Sequence, residues 1–86
     1  MSEGLVIRGE RYVTATRVAE LYSVRVEWVR EVCDYGLLEP LEHVGDEPAI
    51  AARLLDRVAV IQRLSVVQGV NLPGIAIILD LMERAP

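Results

Sequence analysis

The chain has 86 residues and a formal net charge of −4, with nine basic residues that are all arginine and no phenylalanine. One domain of this length, residues 1–86, hides only about 60% of the surface its unfolded form exposes, so its core is small. With 52% hydrophobic but only 5% aromatic residues, Val, Leu, Ile and Ala must build that core. The apolar excess marks either surface meant for another protein or simply an aliphatic interior. The negative balance disfavours nucleic acid, because phosphate neutralisation by basic side chains supplies most non-specific affinity.

In chain order, "LVIRGERYV" alternates loosely around Gly9 and predicts one or two short strands. Thr14 is placed as the N-cap of a first helix of about two turns, "ATRVAELY", with Val18, Ala19 and Leu21 facing inward. "YSV" makes a tight connection to a second helix from Arg25 to Tyr35. Its inner face is Val26, Val29 and Val32 or Cys33, at three- and four-residue spacing. Gly36 sits where a left-handed C-terminal cap belongs, and "LLEPLEHV" reads as a brief edge segment limited by Pro40.

A third helix of about 20 residues is predicted from Asp46 or Glu47 to Gln68. Its first turn would hold Pro48, and its apolar face would run Ile50, Leu54, Val58, Ile61 and Leu64 or Ser65. "VNLPGIAIILDLMERAP" is the fourth helix, capped by Asn71. It is apolar almost all round, and such a helix must be covered all round. Ile75, Ile78, Leu79 and Met82 are assigned to the side that includes core. Ile77 and Leu81 are left as an oligomer or partner interface, with a homodimer through this helix as first choice, or else for contact with the N-terminal strands.

The second helix carries the candidate site. Glu27, Glu31 and Asp34 lie away from its apolar face. They are an acidic surface for a basic partner or a solvated face with local ion pairs, each worth a few tenths of a kcal/mol. Arg30 reads as tied to Glu27 and Asp34. Trp28 is an exposed interface anchor, a class that often contributes about 2 kcal/mol or more, or else peripheral core.

His43, placed in a turn, is the only histidine and Cys33 the only cysteine. No metal-ligand spacing exists, an intramolecular disulfide is ruled out, and Cys33 is read as a small inward apolar residue. No nucleophile with a base, phosphate-binding glycine loop or cofactor motif is evident, so neither enzyme activity nor a cofactor is expected. No apolar run reaches the roughly 20 residues that span a bilayer, and "MSEGLVIRGE" lacks a signal-peptide pattern. A cytoplasmic location without membrane contact is expected.

Short helix, turn, second helix, "GLLEP", then a wing and a long helix resemble a MerR-type winged helix-turn-helix. The resemblance implies a mainly α fold with about four helices and short β-strands. Trp28 stands where that family has threonine, Val29 matches its core leucine and Arg30 its arginine, while Glu31 and Val32 replace an aromatic pair used near phosphates. The family wing turns on asparagine-glycine with tyrosine and arginine; here it is "EHVGDEP", short and acidic.

Over nearly the whole chain, "REVCDYGLLEP" and "NLPGIAIILDLM" resemble the CbpM chaperone-modulator family. That family continues into a further helix of coiled-coil character, whereas this sequence ends at Pro86. The resemblance implies binding to the J-domain of a DnaJ/CbpA-type co-chaperone, and through it an effect on DnaK. The DnaK-facing helix of J-domains is basic, so an acidic second helix offers the opposite sign. The partner-binding residues implied are Glu27, Trp28, Arg30, Glu31 and Asp34. The alternative is a DNA-binding regulator of MerR or excisionase type; a third is a free-standing dimerisation or adaptor module.

Overall fold

Arg8 and Gly9 both take positive φ, 51° and 82°, the backbone a two-residue hairpin turn requires. They close β1 (Leu5–Ile7) onto β2 (Glu10–Thr14), so the predicted pair of strands forms. The computed structural model describes residues 5–84. Two short helices follow, α1 (Ala15–Tyr22) and α2 (Val26–Asp34). A second hairpin comes next, β3 (Leu41–Val44) and β4 (Glu47–Ala51), and then α3 (Leu55–Gln62) and α4 (Leu72–Arg84). The strands make one antiparallel sheet in the order β1-β2-β4-β3. Four helices beside short strands are the architecture of a MerR-like winged helix-turn-helix.

Thr14 caps α1 as expected: its hydroxyl accepts the Arg17 N–H at 3.3 Å. The turn to α2 passes through Ser23, whose left-handed φ of 56° ends α1, and the Val24 N–H returns to the Ala19 carbonyl. α2 closes at Gly36, where φ is +72° and the N–H donates to the Cys33 carbonyl at 2.9 Å. A β-carbon would strain that conformation, which is why glycine stands there. Asn71 caps α4, its Oδ1 accepting the Gly74 N–H at 2.9 Å.

The third helix starts later than the sequence suggests. Residues 47–51 are strand β4, and one 3-10 turn (Ala52–Leu54) joins it to α3. β4 lies between β2 and β3, with Pro48 through Ala51 all buried. A strand buried on both faces shows no alternation, so its apolar run cannot be told from a buried helix by period alone. The overlooked signal is Gly45-Asp46, with Gly45 at φ +61°, which closes the β3–β4 hairpin. Pro48 is tolerated because the pairing with β2 stops at Ala49, leaving it opposite His43 alone. His43 is thus an exposed strand residue rather than part of a turn. After α3 a π-helical turn over Arg63–Val67 continues the helix.

The main core joins Val18, Val29, Leu38, Ile50, Ile61 and Ile75, among others. A satellite cluster of Tyr12, Ala49 and Ala51, flanked by Leu5 and Ile7, holds the first hairpin to β4. Leu21 departs from expectation and is 49% exposed, because the inner stripe of the short α1 runs through Ala15, Val18 and Ala19. Met82 departs likewise: only Ile75 and Leu79 of α4 are buried, and every residue from Asp80 to Arg84 is exposed. One side chain secures that end. Arg57 donates to the Leu37 carbonyl at 2.7 Å and also pairs with Glu83. No described helix is long and apolar enough to cross a membrane.

Ile50, the fourth residue of β4, is fully buried. Ile50→Ala is expected to lower stability by about 2–5 kcal/mol, read as a fall in the urea midpoint without a change in helix content before unfolding.

Candidate partner-binding surface

Nine residues of α2 divide cleanly. Val29, Val32 and Cys33 are buried, while Glu27, Arg30, Glu31 and Asp34 are exposed. Helical spacing puts those four on one outward arc, with Trp28 at its edge. The α1–turn–α2 packing and the cap at Gly36 fix this arc, because three buried residues pin the opposite side.

Trp28 is half-buried and packs against the main core, so it combines features of both readings made for it. Tyr35, which ends α2, is 50% exposed and was missed. It lies seven residues after Trp28 and four after Glu31, two turns and one turn along the same face, and that spacing was visible in the sequence.

The ion pairing differs from expectation at Arg30. Glu27 pairs with Arg25 at 3.6 Å, and among the described residues Arg30 takes part in no ion pair. Arg25, at the N-cap of α2, takes Glu27 instead, and no ion pair joins Arg30 to Asp34. Both side chains of that pair are largely solvent-exposed (86% and 71%), so it adds little stability. Arg53 and Arg57 are paired with Glu10 and Glu83. Glu31 and Asp34 have no ion-pair partner among the described residues.

Glu47, expected from sequence at the start of the third helix, caps a different one. From β4 its Oε2 accepts the Thr16 N–H at 2.6 Å, at the start of α1. A helix N-terminus attracts anions through its free N–H groups and dipole. Here a carboxylate of the wing already occupies that position.

Cys33 is buried on the inner side of α2. Burial, and then the charge of Asp34, push its thiol up to about 11, with Arg30 pulling weakly the other way. Such a thiol is unreactive. Among the described residues no group of three His, Cys, Asp or Glu side chains is placed to hold a metal ion. On α4, Ile77 and Leu81 are each 62% exposed, well away from the buried Ile75 and Leu79 around the helix.

A family model described as MerR HTH family regulatory protein matches residues 13–86. The match takes in both helices of the helix-turn-helix, the second hairpin, α3 and α4, and leaves β1 and the start of β2 outside. No curated protein and no solved structure matches the chain.

The shifted thiol has a pH consequence. The folded protein holds the Cys33 proton more tightly than the unfolded chain, whose thiol ionises near pH 8.5. This contribution to stability is therefore whole below about pH 8.5 and is lost as pH rises through about 11. At pH 8 a disulfide reagent is expected to leave the native protein unlabelled and to modify it fully in urea. Rapid labelling of the native protein contradicts the assigned burial.

Proposed function

This chain belongs to the MerR helix-turn-helix regulatory family, and on that premise we propose that it regulates by binding protein, holding the J-domain of a DnaJ/CbpA-type co-chaperone and so tuning its stimulation of DnaK. The observation that carries the reading is the exposure of Glu27, Glu31 and Asp34 together on α2, the helix that in this fold reads DNA. A basic helix meets attraction there and a phosphate backbone meets repulsion. Glu47 at the N-terminus of α1 supports the same sign, since a phosphate approaching that helix end has to displace a carboxylate. Trp28 and Tyr35 supply apolar area beside the charges. Arg30, free of ion pairs among the described residues, is available to a carboxylate of the partner. The role belongs in the cytoplasm, where its co-chaperone works, and it requires neither a cofactor nor catalysis.

A DNA-binding role is the second reading, favoured by the family itself and by the exposed Arg25 and Arg30 on the same helix.

Calorimetric titration of J-domain into the full chain, repeated over a range of salt, tests the proposal. Binding is expected at low ionic strength and weakens as salt screens the charges. The isosteric triple variant Glu27→Gln, Glu31→Gln, Asp34→Asn is expected to lose at least about tenfold in affinity, or about 1.4 kcal/mol, with its urea midpoint unchanged. No binding at low salt, or binding indifferent to the triple variant, contradicts the reading. A gel shift with mixed-sequence duplex DNA that shows binding with a steep salt slope establishes the rival.

A further inference from the structure

We infer that the outward side of α3, with the π-helical turn that follows it, is a binding site for a small amphipathic monocarboxylate. Ala59, Gln62, Arg63, Val66 and Val67 line a hollow of about 320 Å³ there. Four of these residues follow the i, i+3, i+4, i+7 spacing that surrounds one gap on a helix surface. Val58 and Ile61, on the other side of α3, are buried in the core and hold the helix in place. Beyond Gln62 the helix widens, and the Gln68 N–H donates to the Arg63 carbonyl, five residues back, at 3.2 Å. Single π-helical turns recur at functional sites. This one leaves two adjacent valines turned outward, Val66 at 67% and Val67 at 70% exposure. They give the hollow an apolar wall.

Arg63 selects the class of ligand. It is exposed and joins no ion pair among the described residues. Asp56, the acid of α3, lies seven residues earlier, about 10.5 Å along the helix axis. An unpaired guanidinium matches the geometry of one carboxylate with two parallel N–H bonds. The net charge of −4 opposes anything more highly charged, a nucleotide or phosphate ester included. Gln62 is fixed at the wall, because its Nε2 donates to the Tyr22 carbonyl at 3.0 Å. At roughly 30 Å³ per water molecule, the hollow has room for roughly ten heavy atoms. A medium-chain carboxylate such as octanoate has that size, with its alkyl chain on the valines and its head on Arg63. One stretch of helix supplies the whole lining, so the ligand stays partly in water and binding is weak, in the millimolar range.

Amide NMR titration of the full chain with sodium octanoate, and separately with octanol and octylammonium, reads this directly. Octanoate is expected to move the amides of residues 59–67 along a saturating curve. Octanol is expected to bind at least about tenfold more weakly, and octylammonium not at all. Arg63→Gln, an exposed change to another helix former, is expected to bring octanoate down to the level of octanol with an unchanged urea midpoint. Val67→Asp removes the apolar wall and is expected to abolish binding while helix content by circular dichroism stays the same. A wild-type chain that gives no saturable shift, or shifts outside this stretch, overturns the proposal. So does octanol or octylammonium binding as tightly as octanoate, or an Arg63→Gln chain that binds octanoate like the wild type. None of these substitutions lies on α2, so failure here leaves the partner reading untouched.

Discussion

Strand β4 is the element on which the rest depends, because it is enclosed on every side. Ile50 enters the main core from one of its faces, while Ala49 and Ala51 enter the satellite core beneath Tyr12 from the other. Its two edges pair with β2 and β3. A strand so placed fixes the hairpins relative to the helix-turn-helix. It also sends Glu47 to the start of α1. The small residues matter physically: a larger side chain at Ala49 or Ala51, both with no exposed surface, would force the layers apart in an interior already packed at crystal-like density.

On that frame, the sign of α2 follows from a division of labour within nine residues. Valines and a cysteine hold the helix down, and what remains outward is three carboxylates, one arginine and the edge of the Trp28 ring, with Tyr35 following at the C-cap. The pair that does form, Arg25 with Glu27, is too exposed to offset much of this charge. The second helix of this helix-turn-helix thus presents more carboxylates than arginines on its outward side. Where such an arc meets a partner of opposite sign, its charge acts on encounter rate and partner choice more than on raw affinity.

Much of this was legible before any coordinates. Thr14, Gly36 and Asn71 announced their caps because each does a local job that few residues can do. The exposure of Ile77 and Leu81 followed from counting: a helix apolar all round in so short a chain cannot be wholly covered. What stayed hidden depended on distant neighbours. EPAIA became strand because β2 and β3 flank it, a long-range fact with no local period to reveal it. Glu47 serves a helix 31 residues earlier in the chain. Arg30 lacks both expected pairs: Glu27 lies with Arg25 instead, and Asp34 has no ion-pair partner among the described residues. Tyr35 was overlooked although its spacing from Trp28 was in plain view.

The account stands on α2 as a surface for protein. The most direct test is a two-dimensional amide NMR titration of the labelled chain, once with a J-domain and once with duplex DNA, at the same low salt. The account predicts that the J-domain perturbs Glu27 to Tyr35, together with the Trp28 indole N–H, and that DNA leaves them unmoved. Perturbation of α2 by DNA alone, or J-domain shifts confined to other elements, would contradict it.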